Sequence, residues 1–336
     1  MNAGAAVDFH RLCRMLSPFS QTGEVAAALP GPAGWQPLIA MADRQYVLSE
    51  LYPVLRHHGL LDQVPDDARE MLEACFDVVV GRNADLRAQI GEITGLLAGL
   101  GIVPVWLKGA VYLTEPGWTG IGRIMGDLDF WVPDLDRQRA TLDTLERCGY
   151  RGYDDSDERI WRGLHHYGPR YNPDKPAQVE IHRHIVRPAV AGLLPDGPAL
   201  AAVVRRDWQG MTIAHLCHDD RIMHSLVQCT VMSTPRLRQG RPRLMKYLDL
   251  ARLMAAGGGG PALPPAILAR IGQPRWRRIM ARFLTFAAQD LGFDNPLETD
   301  RWFLKRIERV FACGGRLPRH LQLWELVRRR LLGLNF

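Results

Sequence analysis

Three carboxylates in the middle of the chain have the types and spacing to hold a divalent metal ion: Asp127, Asp129 and Glu180. In Gly126–Val132, GDLDFWV, the apolar residues Leu128, Phe130 and Val132 alternate with Asp127, Asp129 and Trp131. A period of two is that of a β-strand, so both aspartates face the same side, roughly 6.6 Å apart along the strand. A second short strand, VEIH, places Glu180 and His182 on one face and Val179 and Ile181 on the other. Two acids on one strand and a third on a neighbour can converge on one or two hard cations. Oxygen ligands suit Mg²⁺ or Mn²⁺, and such ions serve in-line displacement at phosphorus. An Asp-x-Asp strand can also be no more than the solvated face of a sheet edge.

The context of the acidic strand points to a site. It is approached through glycines, at Gly117, Gly120, Gly122 and Gly126. Upstream, VPVWLKG reads as a buried strand ending at Lys108-Gly109, followed by a short helical run, AVYL. Leu135–Cys148 reads as an amphipathic helix, HHYGPRY (His165–Tyr171) as a strand and NPDKP as the turn into VEIH. Strand, helix, acidic strand, helix and hairpin together predict an α+β unit on a small mixed sheet.

In this order the pieces LKG, Arg123, DLD, Gly149-Tyr150, His165-His166 and VEIH resemble the uncharacterised nucleotidyltransferases of the DNA polymerase β-like superfamily. The likeness runs from about Trp35 to about Met254 and includes WQPLIAMADRQYVLSELYPVL, RIMH and LMKYLDLARLM. It implies a polymerase β-like core flanked by N-terminal and C-terminal helical regions. It implies Asp127, Asp129 and Glu180 as catalytic metal ligands. Lys108, Gly109, Arg123 and His182 would contact nucleotide or phosphate. The activity implied is Mg²⁺- or Mn²⁺-dependent transfer of a nucleoside monophosphate from a nucleoside triphosphate to a hydroxyl, with pyrophosphate released. The acceptor, whether small molecule, peptide or protein, is not encoded in these motifs. The wider superfamily has Gly-Ser where this chain has Lys-Gly-Ala, so phosphate would be held by backbone N–H groups and Lys108. Two other readings use the same cleft: a non-catalytic module that binds nucleotide or a partner, and a phosphotransferase acting on a peptide or small-molecule hydroxyl.

The 336 residues divide by pattern into an N-terminal helical region (1–100), a catalytic core (101–187) and a C-terminal helical region (188–336). An apolar share of 47% fits a globular chain with a real core. A net charge of +6 fits anionic substrates and gives only weak support to nucleic acid as a partner. Six scattered cysteines without a CxxC pair indicate neither zinc nor a disulfide framework and fit a reducing cytoplasm. The N-terminus lacks a signal-peptide core and no apolar run reaches membrane-spanning length, so no membrane partner is expected.

Helical stripes are expected over Gln36–His57, from Asp66-Asp67 through Val79, and over Asn83–Leu100. Ile213–Met232 reads as one helix, on which His215 and His218 share a face. Leu244–Met254 reads as another, with Asp249 inside it. Trp276, Phe283, Phe286 and Leu291, and later Trp324, Leu326 and Leu331, are core candidates. DDSDE (Asp154–Glu158) lacks the spaced glycine of a calcium loop and reads as a solvated turn. PRLRQGRPR (Pro235–Arg243) is a basic loop, suited either to phosphate or to solvent. From Asp300 onward nine basic residues stand against three acidic ones.

Overall fold

The fold is that of a computed structural model, which describes residues 3–118, 120–152, 163–232, 243–256, 258, 260–297 and 305. The acidic cluster at 154–158, nearly all of the basic loop at 235–243 and the core candidates beyond residue 305 lie outside the described residues.

Five strands form one mixed sheet in the order β3-β2-β1-β5-β4. They are β1 (Val105–Trp106), β2 (Asp127–Trp131), β3 (Gln178–His182), β4 (Val204–Trp208) and β5 (Met211–His215). β2 runs parallel to β3 and antiparallel to β1, β1 runs parallel to β5, and β4–β5 is an antiparallel hairpin. The hairpin joins the sheet from the stretch that the pattern assigned to C-terminal helices. Ile213–Met232 is therefore not one helix: His215 ends β5 and His218 begins the next helix, so they share no helical face. Met211–His215 shows no alternation, its last three residues all being buried, so the strand has no period-two signal of its own. His165–Tyr171 forms only isolated bridges, His166 to His182, Arg170 to Val179 and Tyr171 to Arg151. Gly168-Pro169 interrupts what would be its ladder, because proline has no N–H to pair.

The N-terminal layer comprises α1 (Ala3–Leu16), α2 (Thr22–Ala28), α3 (Trp35–Arg44), α4 (Leu48–His57) and α5 (Asp66–Ala98). The stripe over 36–57 is two helices, broken where Tyr46 takes φ +60°. The two stripes from Asp66 to Leu100 are a single helix of 33 residues. Gly81 weakens a helix interior by about 1 kcal/mol. Here Arg82 and Asn83 donate to the carbonyls of Met125 and Arg123, at 3.3 and 2.9 Å, which anchors the helix at that point.

α5 is the beam on which the sheet is set. Trp106 and Phe130 pack edge to face at 5.2 Å, and the Trp106 indole donates to Thr94 of α5 at 3.2 Å. Gln89, buried in the same helix, donates to the Ala177 carbonyl at 2.9 Å and accepts from the Ala177 N–H at 3.2 Å, so it pins the start of β3. With Leu128, Phe130, Val179 and Ile181 all buried on this face, the alternation sends Asp127, Asp129, Glu180 and His182 to the other.

Among the described residues the remaining α-helices are α6 (Lys108–Thr114), α7 (Leu135–Arg147), α8 (Asp196–Ala201), α9 (His218–Cys229), α10 (Leu244–Ala256), α11 (Pro265–Arg270) and α12 (Pro274–Leu291). α7 begins as its pattern predicts, with Asp134 accepting from the Arg137 N–H at 2.9 Å. The expected core aromatics on α12 are buried: Phe283 and Phe286 lie 4.5 and 5.0 Å from Tyr247 of α10, and Phe286 meets Phe9 of α1 at 5.6 Å. No helix among the described residues is long and apolar enough to cross a membrane.

Candidate metal–nucleotide site

Register builds the site. Asp129 lies beside Glu180 in the parallel β2–β3 pair, with Trp131 beside His182 and Asp127 beside Gln178. Residues opposed in a parallel pair share a face, so Glu180 comes up against Asp129 and His182 one step further on. One ligand atom each from Asp129, Glu180 and His182 lie within 4.8 Å of one another, a spacing that fits a single ion. Asp127 is on the same strand face but outside this group of three.

Lys108 completes the cluster. The Leu107 N–H donates to the Asp129 carbonyl at 2.9 Å, which carries β1 pairing one residue past Trp106 and sets Lys108 beside the acids. Its Nζ is 2.5 Å from Asp129 Oδ1 and 3.9 Å from Glu180 Oε2. Lys108 itself is held at φ +49°, a region that non-glycine residues seldom adopt and that costs about 1–3 kcal/mol. Such strain is typical of functional positions. The next residue must be small: a Cβ at Gly109 would stand 2.9 Å from Met125 Sδ and 3.0 Å from Arg123 Nη1.

The electrostatics follow from burial and this ion pair. Asp129 is 2% exposed, and burial alone would raise its pKa. The Lys108 charge and the His182 hydrogen bond outweigh that and hold the carboxyl far below its usual range. Burial also opposes the Lys108 charge, but Asp129 and Glu180 keep its pKa above the ordinary value. Glu180 bears the repulsion: burial first, then the Asp129 charge, push its pKa up to about 8. Asp127 is raised too, by burial and then by Asp129.

His182 is fully buried, with Nε2 2.9 Å from Asp129 Oδ1 and Nδ1 3.3 Å from the His184 carbonyl. Burial and then Lys108 lower its pKa to about 4, so the ring is neutral and carries a single N–H. Both neighbours are acceptors, and one N–H cannot serve both. A cation bound between Asp129 and Nε2 resolves the conflict: Nε2 turns its lone pair to the ion and Nδ1–H donates to the carbonyl. The donor set of two carboxylates and an imidazole thus fits a divalent ion. The rings of His165 and His166 close this corner, 4.9 and 5.6 Å from His182, and His166 Nε2 is 3.9 Å from Glu180 Oε2.

Arg123 is placed differently from the phosphate fork of the expectation. Its Nε and Nη2 each donate to the Asp249 carboxylate of α10 at 2.7 Å, and Nη1 donates to the Ile124 carbonyl at 3.0 Å. Burial opposes its charge and Asp249 more than restores it. The guanidinium forms one wall of a cavity that also includes Lys108. The loop leading to β2 is fixed from behind: Ser49 donates to the Gly122 carbonyl at 2.6 Å. Gly122 sits at φ +72°, where a Cβ would fall 2.2 Å from the Ser49 carbonyl oxygen. Sequence reasoning passed over Lys246. Its signal was a lysine and an aspartate three apart in a largely apolar helix, LMKYLDLARLM, whose other charged residue is Arg252.

A mixed five-stranded sheet with flanking helices thus bears acids and an imidazole on adjacent parallel strands, a donor set that could hold a metal ion. The chain belongs to the family described as uncharacterised nucleotidyltransferase, whose model matches residues 31–292. No curated protein and no solved structure matches the chain.

Proposed function

We propose that this protein is a Mg²⁺- or Mn²⁺-dependent nucleotidyltransferase that moves a nucleoside monophosphate from a nucleoside triphosphate to a hydroxyl acceptor. One observation carries the reading: in a chain of this family, Asp129, Glu180 and His182 present ligand atoms within 4.8 Å of one another, with Asp127 beside them. Asp129, Glu180 and His182 would hold the divalent ion, which would supply positive charge against that developing on the phosphates. Lys108 is the counter-ion of Asp129 in the free protein. Once that carboxylate is neutralised from elsewhere, its ammonium is available to phosphate, together with the backbone N–H groups from Gly109 onward. Arg123 acts from the cavity wall through its charge, because Asp249 holds its fork.

Glu180, ionised, accepts the proton of the attacking hydroxyl. The hydroxyl oxygen bonds to the α-phosphorus, the bond from that phosphorus to the bridging oxygen breaks, and pyrophosphate leaves.

The test is a mass-spectrometric screen with nucleoside triphosphates and Mg²⁺ or Mn²⁺ against small-molecule, peptide and protein acceptors. A product heavier by a nucleoside monophosphate, lost in Glu180→Gln, supports the proposal. A product heavier by one phosphoryl group assigns a phosphotransferase instead. Metal-independent nucleotide binding without product assigns a binding module.

A further inference from the structure

Beside Lys108 lies a cavity of about 70 Å³ lined by α6 and the helices α9 and α10. Its lining carries four cationic side chains, Lys108, Arg123, Arg221 and Lys246, against one acid, Asp249. Three of the cations are matched. Arg123 has Asp249, Arg221 has Glu115 at 2.6 and 2.8 Å, and Lys108 has Asp129. Lys246 is half-buried, and among the described residues its ammonium has no hydrogen-bond or ion-pair partner. Its pKa is pulled below the ordinary value, chiefly by burial. Next to it on α9 stand the Gln228 amide and the His224 ring, 3.4 Å apart, the ring kept neutral by burial and then by Lys108.

A charge in a cavity without its counter-ion is costly, and proteins hold such groups where a ligand supplies the match. The Arg221 and Arg123 guanidinium groups, each 5.6 Å from the Tyr112 ring between them, are fixed in place and add positive potential without closing the cavity. The volume is far below the several hundred Å³ that hold a whole small-molecule ligand. It has room for a small cluster of waters or for one tetrahedral oxyanion.

We propose that this cavity is a binding site for a single phosphoryl group, with the Lys246 ammonium as its principal donor and the Gln228 amide and Lys108 beside it. The proposal rests on the nucleotidyl-transfer reading only for the choice of phosphate among anions. The phosphoryl group is either the far end of the bound nucleotide or one carried by the acceptor, since Lys108 borders both the cavity and the carboxylates.

The experiment is calorimetric titration of the full chain, in chelator and without metal, with inorganic phosphate, pyrophosphate and nucleoside monophosphate. The wild type binds phosphate and pyrophosphate, and Lys246→Met weakens both at least tenfold while melting no lower than the wild type. If Lys246→Met does not fold, Lys246→Gln is compared in the same way. Adding Mg²⁺ and a non-hydrolysable triphosphate then separates the sources. Displacement of inorganic phosphate assigns the site to the nucleotide, and simultaneous binding assigns it to the acceptor. Equal phosphate affinity in wild type and variant, or no binding by the wild type at millimolar concentration, overturns the proposal. Because no metal is present in the first arm, that failure leaves the metal-dependent reading standing, and loss of metal binding alone leaves this one standing.

Discussion

Asp129→Asn tests whether the ion pair at the centre of the site also supports the fold. The change keeps the side-chain shape and removes the counter-ion 2.5 Å from the Lys108 ammonium. At that distance and an effective dielectric of about 20, the gross attraction is about 7 kcal/mol. Desolvating the two charges consumes most of this, and breaking one side of such a pair costs about 3–5 kcal/mol when nothing replaces it. Here Glu180, 3.9 Å from Nζ, inherits the ammonium and loses its proton more readily, so the expected net loss is about 2–3 kcal/mol. For a chain of this length that is about 3–4 °C in Tm.

The assay is thermal unfolding of the metal-free protein at several pH values. The Asp129 pKa is depressed in the folded state, so its contribution is present above the ordinary carboxylate value and is lost as pH falls through the folded one. The gap between wild type and variant should therefore close in strong acid, and it should also narrow as pH rises toward 8, where Glu180 must ionise beside Asp129 in the wild type only. Combining Lys108→Met with Asp129→Asn should recover most of the loss, since an uncharged pair leaves no buried charge unmatched. An Asp129→Asn protein that melts with the wild type at pH 7, or a double variant that is no better than the single, would refute this account.

Mn²⁺ affinity, followed by calorimetry, should rise from pH 6.5 to pH 8.5, because Glu180, raised to about 8, must give up a proton to the ion. Gly122→Ala should cost about 3 kcal/mol or more and reduce soluble yield, since its Cβ would meet the Ser49 carbonyl oxygen at a backbone angle that disfavours a side chain. Arg123→Lys should lower Tm by a few degrees even without nucleotide, because a point charge replaces only one of the two bonds to Asp249.

The face carrying Asp127, Asp129, Glu180 and His182 was legible in the sequence because strand alternation is a local property: each side chain's direction follows from its neighbours. The LKG turn and the start of α7 were legible for the same reason, since the capping of a helix and the end of a buried strand are decided within a few residues. Which acids meet was not local. It depends on the parallel register that puts Glu180 beside Asp129 and brings His182 into the group of three ahead of Asp127. The fate of Arg123 was not local either, because Asp249, which occupies its fork, is 126 residues away on α10. Nor was the β4–β5 hairpin, whose short apolar strand is stabilised by pairing with β1 rather than by its own pattern. The charge of Lys246 has a faint trace in the sequence, a lysine in a largely apolar helix that also carries Asp249 and Arg252. That it borders the same cavity as Lys108 is settled only when α9 and α10 pack against α6. Side-chain direction is set by the chain's own stereochemistry, whereas the pairing of charges is set by long-range packing, and only the tertiary structure supplies that.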